Sequence, residues 1–177
     1  MILKTQMASE ELVILEEKQR LNLTILWLVV LAPVVIVWYG FFTQIIRKKP
    51  WGQHPAPDLV LIILVVLFGL GLPWLFLKTC LILQIRPDGF YYRFTPFNLK
   101  FRKIPWFEVK KAEAITISAI KDYGGYGIRY YRKGKAYIAQ GKKGLKLTLT
   151  SGREIIFSSK DPESFLRYFQ PHADFKC

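Results

Sequence analysis

Two long apolar runs without a formal charge constrain this chain more than any other feature of its sequence. The first is Leu23–Ile46 and the second is Leu59–Leu77, and a loop with three prolines separates them. A helix that crosses the ~30 Å hydrocarbon core of a bilayer needs about 20 predominantly apolar residues. The sequence therefore predicts a two-helix transmembrane hairpin within residues 22–80, with spans at about 23–46 and 59–77.

Two other interpretations of the first run are a buried helix of a soluble protein and a secretory signal peptide. A buried helix would be shorter and would need packing partners that this chain lacks. A signal peptide would begin closer to the N-terminus, whereas about 22 residues, four of them Glu, precede this run. We therefore favour a membrane span, and we expect residues 1–21 to form a short polar-faced helix leading into it.

The charged residues are concentrated in the other half of the chain. Lys and Arg number 26 against 13 acidic residues, although 51% of the chain is hydrophobic. Of these, 19 basic and 8 acidic residues lie between Leu81 and Cys177. We therefore expect a membrane segment followed by a basic domain at residues 81–177. The cysteines, Cys80 and Cys177, have neither the number nor the spacing of a disulfide framework or a metal site.

Positive charge around the apolar runs predicts their orientation. Three basic residues lie in the loop between the runs, against six near their outer ends. The loop residues are Arg47, Lys48 and Lys49, and the outer ones are Lys4, Lys18, Arg20, Lys78, Arg86 and Arg93. Because positively charged flanks favour the cytoplasmic side, we expect both termini in the cytoplasm, with the three loop charges as a counterweight.

From Leu81 onward the hydrophobic period changes from helical to two, which is typical of strands. Gly-containing turns separate eight short runs, a spacing that predicts a compact antiparallel barrel or sandwich. The runs are Leu81–Arg86, Phe90–Thr95, Leu99–Ile104, Ala114–Ile120, Gly127–Arg132, Lys135–Gln140, Leu145–Thr150 and Glu154–Ser158. A C-terminal helix should follow, with Asp161 as its N-cap, Pro162 in its first turn and Pro171 as its stop.

The ordered motifs of this half resemble the bacterial pleckstrin-homology-like (PH-like) domains, including membrane-anchored members with two spans. The resemblance rests on LILQIRPDGFYYRF, IPWFEV, GGYGIRYY and KAYIAQGKKGLKLTLTSGREIIFSSKDPESFL, within about Leu81–Phe169, and on EEKQRLNLTILW before the first span. It implies two bent antiparallel sheets with a C-terminal helix over one open end. The expected fold class is an α+β membrane protein, in which the hairpin precedes a PH-like β-barrel or sandwich with a C-terminal capping helix.

A glycine-rich element could be interpreted as a phosphate cradle. It consists of Gly124, Gly125, Tyr126, Gly127, Ile128 and Arg129. A dinucleotide fingerprint needs its glycines between a strand and a helix, whereas predicted strands surround this element. We favour a conformational role, in which the glycines permit a tight turn or bulge.

Basic residues are the main chemical resource of the domain. Twelve of them that lie on predicted strands and turns are Lys100, Arg102, Lys103, Lys110, Lys111, Arg129, Arg132, Lys133, Lys135, Lys142, Lys143 and Lys146. They favour attraction to an anionic membrane surface, or they form a solvated surface. The candidates for contact with anionic lipid headgroups are Lys142, Lys143, Lys110, Lys111, Arg132 and Lys133. We expect the attraction to be diffuse, because no single loop gathers these charges.

The sequence predicts neither catalysis nor a cofactor. It contains no nucleophile beside a base, no metal-ligand cluster and no nucleic-acid-binding motif, so we expect no enzyme activity, no metal and no nucleic-acid partner. The favoured function is a non-enzymatic module that binds protein or self-assembles at the cytoplasmic face of the bacterial cytoplasmic (inner) membrane. The alternative is an anionic lipid or headgroup binder. An exposed apolar patch or strand edge would favour the first, and basic side chains converging on one pocket would favour the second.

Overall fold

The computed structural model describes residues 12–21, 24–52 and 54–173. They form two compact units, one within Asn22–Thr79 and one that combines the residues before Asn22 with Cys80–Cys177. Residues 1–11, 22, 23, 53 and 174–177 lie outside the described residues. The predictions on the start of the N-terminal segment, the start of the first span and the end of the C-terminal domain therefore fall outside them as well.

The first unit consists of two long apolar helices. Helix α1 (Thr24–Phe41) continues as a π-helical turn, Phe42–Ile46. The second helix runs from α2 (Asp58–Leu64) through a π-helical stretch, Val65–Gly71, into α3 (Leu72–Lys78).

Two segments, Trp27–Ile46 and Asp58–Lys78, are long and apolar enough to span a membrane. Only 11% of the first and 17% of the second is buried, which is unlike the core helix of a soluble protein. The prediction of two long apolar helices is confirmed.

Inside this unit a glycine allows the two helices to approach each other. The indole Nε1 of Trp38 lies 3.4 Å from the carbonyl oxygen of Gly69, to which it donates a hydrogen bond. A Cβ atom at Gly69 would lie 2.8 Å from the same indole nitrogen, closer than real Cβ contacts come. A larger residue at this position would displace the Trp38 indole or the helix that carries it, as is general where small residues pack helices together.

The second unit contains two β-sheets, the first of which has four antiparallel strands. In spatial order these are β1 (Leu15–Arg20), β2 (Cys80–Arg86), β3 (Gly89–Thr95) and β4 (Arg102–Pro105). The prediction that the segment before the first span is helical is wrong for β1. The register pairs Leu15 with Ile85 and Arg20 with Cys80, so the strands on either side of the helical unit are neighbours in one sheet.

The second sheet has five strands in the order β5-β8-β9-β7-β6. Their bounds are β5 (Val109–Thr116), β6 (Gly127–Tyr131), β7 (Gly134–Ile138), β8 (Lys143–Leu149) and β9 (Glu154–Ser158). The β7–β9 pair is parallel, which corrects the prediction of a wholly antiparallel domain. Parallel strands need a crossover connection, and here the β8 strand provides it between β7 and β9.

Three further sequence predictions need correction. The strands of residues 12–173 that the structure describes form two separate sheets and no closed barrel. Helix α4 (Ala119–Tyr123) occupies the end of the segment predicted as the strand Ala114–Ile120. Helix α5 (Pro162–Ala173) continues through Pro171, which was expected to end it. The N-cap prediction is confirmed, because the backbone amide of Ser164 donates to Asp161 Oδ1 over 3.3 Å.

Alternating residues of both sheets and one face of α5 form the core. Leu81, Leu83 and Ile85 on β2 are fully buried, as expected for one face of a strand with a two-residue period. The aromatic rings of Tyr137 and Phe157 stack with their centroids 5.4 Å apart. From α5, the residues Phe165 and Phe169 contact Phe90, with centroid separations of 6.1 and 5.9 Å.

Polar side chains connect β1 to the end of β9. The side chain of Gln19, which is fully buried, donates to the carbonyl oxygen of Ser158 over 2.7 Å and accepts from its hydroxyl over 2.8 Å. The amide of Ala139 also donates to this hydroxyl, over 2.9 Å. Glu17 accepts from the hydroxyl of Ser159 over 2.7 Å. Since buried polar groups are costly without partners, these bonds fix β1 in the domain.

Candidate functional site

A groove of about 440 Å³ lies where β4 of the first sheet meets the turns at one edge of the second. Its lining includes three tyrosines, Tyr92, Tyr130 and Tyr131. It also includes five basic residues and one acidic residue, namely Arg102, Arg132, Lys133, Lys135, Arg153 and Glu154. We call it the cationic groove.

The parallel pairing of β7 and β9 brings the charges of the cationic groove together. The register aligns Gly134, where β7 begins, with Glu154, where β9 begins. The turns before these two strands therefore lie at the same end of the sheet, the end at which both strands begin. These turns are Arg132–Lys133 and Thr150–Arg153. A backbone hydrogen bond from the amide of Glu154 to the carbonyl oxygen of Lys133, 3.0 Å long, connects the two turns.

Gly134 makes this close approach possible. A Cβ atom at this position would lie 1.7 Å from the backbone carbonyl oxygen of Glu154, far inside any real contact. Glycine in a strand often marks a place where another backbone comes near. The requirement here is steric, and any side chain at residue 134 would push the two turns apart.

The single carboxylate of the groove is already compensated. Glu154 Oε1 lies 3.0 Å from Lys146 Nζ, and its Oε2 accepts from the Tyr131 hydroxyl over 3.1 Å. The hydrogen bond from Lys146 is the main cause that holds the pKa of Glu154 below its usual value. Burial, and then the hydrogen bond to Glu154, raises the pKa of Tyr131, so this phenol stays protonated.

Within the described residues, the five basic residues of the cationic groove lack a close ion-pair partner of this kind, although the charge of Lys133 also helps to lower the pKa of Glu154. Across residues 12–21, 24–52 and 54–173, none of them forms an ion pair within 4.0 Å. The ammonium of Lys135 lies 4.8 Å from the centre of the Tyr130 ring, and that tyrosine is 74% exposed. A cation over an aromatic face is attracted by the ring quadrupole, which holds Lys135 in place at the rim.

This arrangement is suited to binding an anion. Guanidinium groups match the geometry of phosphate or carboxylate oxygens through paired N–H donors, and ammonium groups add point charge. Three arginines and two lysines converge here from three separate segments of the chain. Clustered positive charge in a concave site attracts anions more strongly than the same charge on an open surface.

Of the six predicted headgroup contacts, the structure brings only Arg132 and Lys133 into the groove. Lys143 pairs with Thr116 at one end of the β5–β8 ladder, and Lys111 pairs with Thr148 near the other end. At ~3.4 Å per residue these two positions lie about 17 Å apart. The pairs Lys142–Lys143 and Lys110–Lys111 are thus separate surface clusters, and Lys111 is paired with Glu113 at 2.7 Å.

Arg102, Lys135 and Arg153 complete the groove, and the sequence did not single them out as contacts. The structure thus gathers these three with Arg132 and Lys133 in one groove, whereas the diffuse attraction expected from the sequence stays a prediction. A usable signal was the position of Lys and Arg in two turns, residues 132–133 and 150–153. Those turns are adjacent only through the parallel pairing of β7 and β9, which the turn pattern does not indicate.

The glycine-rich element lies outside the cationic groove. Gly124 ends α4 with a φ of +70°, and Gly125 and Gly127 have φ values of +129° and +100°. The amide of Gly125 donates to the carbonyl oxygen of Ala119 over 2.7 Å, a bond typical of glycine-terminated helices. Tyr126, at the centre of the element, packs against a small cluster of buried residues that includes Ile117 and Ile138.

The last two residues of the element have different surroundings. Ile128 packs against the main core of the domain. The Arg129 guanidinium folds back toward Gly125, where a Cβ atom would lie 2.8 Å from its Nη2. Within the part of the chain that the structure describes, no group of three or more His, Cys, Asp or Glu residues could hold a metal ion.

The fold is thus an α+β arrangement of two long apolar helices and a two-sheet domain with a cationic groove. The chain belongs to a family of unknown function, DUF6141, whose model matches residues 7–170. Comparison with curated proteins found no match, and comparison with solved structures found none either.

Proposed function

We propose that this protein is a non-enzymatic, membrane-anchored module that binds a phosphate-bearing anion in its cationic groove. The observation that carries the proposal is the convergence of five basic side chains, none of them ion-paired within the described residues, on a single cavity. The phosphate could belong to a lipid headgroup or to a soluble anion. Both present the same oxygens to the guanidinium groups, so the chemistry recognised is the same.

The membrane anchor is supported by the helices and by the strand register. Two helices are long and apolar enough to span a bilayer. Arg20, which precedes the helical unit, pairs with Cys80, which follows it. Strands that pair must be on the same side of a membrane, and this requires an even number of spans between them. The six-to-three excess of positive charge at the outer ends favours the cytoplasmic side of a bacterial inner membrane for the β unit.

The PH-like assignment is part of the same proposal. Two sheets share one core, and a C-terminal helix packs Phe165 and Phe169 against it, as the resemblance implies. The parallel β7–β9 pair and the additional strand β1 depart from a plain antiparallel arrangement. Folds of this kind serve many functions, so the groove, and not the fold, supports the binding proposal.

Self-assembly or binding of another protein is the second candidate. Strand β6 is at the edge of the second sheet, and its Tyr130 is 74% exposed. An unpaired strand edge can add a strand from another chain. A second copy of this protein would then pair along Gly127–Tyr131.

Titration of the full-length protein in non-ionic micelles tests the proposed binding. The probes are a short-chain phosphatidylglycerol, a short-chain phosphatidylcholine and inorganic phosphate, followed by calorimetry. The test variant combines Arg132→Glu with Lys133→Glu, and the matched control combines Lys142→Glu with Lys143→Glu. All four side chains are exposed, and each pair changes the net charge equally.

We expect the groove variant to lose most of the binding and the control to retain it, at about 0.15 M salt, where exposed charges are screened beyond ~8 Å. Competition by inorganic phosphate against the lipid would indicate recognition of phosphate alone. Preference for phosphatidylglycerol without competition would assign the ligand to a lipid. Equal losses in both variants, or no binding of any probe, would overturn the groove proposal.

A further inference from the structure

The loop between β3 and β4, Pro96–Phe101, holds two apolar side chains away from the core. Phe97 is 61% exposed and Leu99 is 77% exposed. The loop is held in place where it begins, because the amide of Asn98 donates to the carbonyl oxygen of Phe94 over 2.8 Å. The Phe97 ring also stacks on Phe94, with a centroid distance of 6.1 Å. The exposure of these residues is therefore a property of an ordered turn.

Strand register places this loop at the edge of the sheet where the apolar helices attach. Thr95, the last residue of β3, pairs with Cys80, and Cys80 also pairs with Arg20. The second helix ends at Lys78, two residues before Cys80. Since consecutive Cα atoms are 3.80 Å apart, Cys80 lies within about 8 Å of the helix end, whatever the orientation of the units. The loop therefore begins one strand away from this attachment point.

Positive charges lie at the end of the sheet where the loop begins, and two lie beside or within the loop itself. Lys18, Arg20 and Arg93 act on Cys80 at the same edge, where they oppose the rise in thiol pKa that burial causes. The guanidinium of Arg93 lies 4.5 Å from the centre of the Phe101 ring, and Lys100 is exposed. Exposed apolar residues beside cations are typical of segments that bind the interface of an anionic bilayer.

We propose that the loop Pro96–Phe101 inserts Phe97 and Leu99 into the interface of the same bilayer that the two helices span. This rests on the membrane anchoring proposed above, and it adds a third attachment that restricts how the β unit can turn on its tethers. Leu99 precedes Arg102 of the cationic groove by three residues, at most about 11 Å of chain. The groove then opens near the headgroup layer, which would bring lipid phosphates within its reach.

The domain contains a matched control for this loop. Phe107 is 78% exposed, and it lies just beyond Pro105, whose register partner is Gly89. Gly89 and Thr95 are the two ends of β3. Phe107 is therefore an equally exposed aromatic residue at the opposite end of the sheet, and we expect it to remain in water.

The experiment uses the full-length protein in vesicles of phosphatidylcholine and phosphatidylglycerol. Starting from Cys80→Ser and Cys177→Ser, a single cysteine is introduced by Phe97→Cys, Leu99→Cys or Phe107→Cys and labelled with nitrobenzoxadiazole. Quenching by aqueous iodide is compared with quenching by lipids that carry a doxyl group in the acyl chain. Resistance to alkaline extraction is measured on the same samples. If the variant at position 97 or 99 does not give a single species in micelles, the other of these two positions is used.

We expect iodide quenching at positions 97 and 99 to be several-fold weaker than at 107, with the reverse order for the doxyl lipids. If the protein resists extraction but all three positions are equally open to iodide, the loop inference is wrong and the anchor stands. If alkali extracts the protein, the anchor fails, and the inference fails with it. Loop burial without phosphate binding in the titrations above would retain this inference and remove only the groove proposal.

Discussion

The two units use the same apolar residue types in opposite ways. In the helical unit Leu28 is 65% exposed and Leu59 is 68% exposed, whereas Leu81 and Leu83 in the β unit are fully buried. Burying a leucine side chain is worth about 1.5–3 kcal/mol relative to leaving it in water. A folded chain does not keep a whole surface of such residues in water, so the solvent of the helical unit is expected to be lipid. The β unit instead encloses its apolar side chains in a core of its own.

The units also differ in how they are connected along the chain. The helical unit is a single continuous segment, Asn22–Thr79, whereas the β unit is interrupted by it. Because β1 and β2 are adjacent antiparallel strands, the helical unit occupies the place of an ordinary hairpin loop. A boundary at Leu81, which the composition of the sequence favours, separates β1 from the sheet it completes.

The largest expected effect comes from separating the two units in two different ways. One variant is the fragment Leu81–Cys177, and the other joins Arg20 to Cys80, which are register partners, through Asn-Gly, a favoured two-residue hairpin turn. The fragment loses the β1 ladder and the bonds of Gln19 and Glu17, each worth ~0.5–1.5 kcal/mol net. We expect the joined variant to be soluble and folded, and the fragment to be less stable by more than about 3 kcal/mol, or aggregated.

Chemical denaturation followed by circular dichroism, with size-exclusion chromatography, measures both variants without detergent. Equal stability would show that β1 is dispensable. Aggregation of the joined variant would contradict the contrast between the units, since it would mean that the β unit also needs lipid.

The second expected effect tests how closely the backbone of the β unit is packed. Gly134→Ala places a Cβ atom against the carbonyl oxygen of Glu154, so β7 and β9 must separate. The loss of parallel pairing should lower the free energy of unfolding by more than about 3 kcal/mol, the range of severe core disruptions. The matched control is Gly124→Ala, where a Cβ atom meets nothing within 4 Å and only the φ of +70° is unfavourable.

For that control we expect a loss of about 1 kcal/mol, the usual conformational cost of a left-handed residue. Gly125→Val should fall between the two, since a φ of +129° and the Arg129 side chain both oppose it. Thermal melts of the full-length variants in micelles would rank them. A Gly134→Ala variant as stable as Gly124→Ala would contradict the close strand approach on which the groove depends.

The sequence predicted the elements whose pattern is local. The length of the two uncharged apolar runs was enough to predict the two helices. Alternation of apolar and polar residues between glycine-containing turns was enough to predict β2, β3 and β6 through β9. Strand β1, with the sequence LEEKQR, has four charged residues in six, and this conceals a strand that is stabilised by a partner about 60 residues later. The cationic groove was missed for a similar reason, because its turns meet only through a parallel pairing set by tertiary structure. Non-local pairing is the information that local patterns lack.

The smallest expected effect concerns the ion pair between Glu154 and Lys146 in the β unit, which is accessible to protons from water. Hydrogen bonding from Lys146 holds the pKa of Glu154 below its usual 4.5 in the folded protein. A carboxyl group with a lowered folded pKa stabilises the fold above its unfolded pKa, and this contribution is lost as the pH falls through the folded pKa. The pair is partly exposed, at 24% and 14%, so we expect less than about 1 kcal/mol.

Glu154→Gln keeps an oxygen that can accept from Tyr131 but removes the charge, and Lys146→Gln removes the main cause of the lowered pKa. Each variant should be slightly less stable than the parent at neutral pH, and the difference should vanish once the pH has fallen below the lowered folded pKa of Glu154, where the parent carboxylate is protonated. The double variant should lose little more than either single variant, because the two share one interaction. Denaturation of the joined, helix-free protein from neutral to acidic pH measures this. Additive losses, or a difference that persists in acid, would mean that the ion pair is not what lowers the pKa of Glu154.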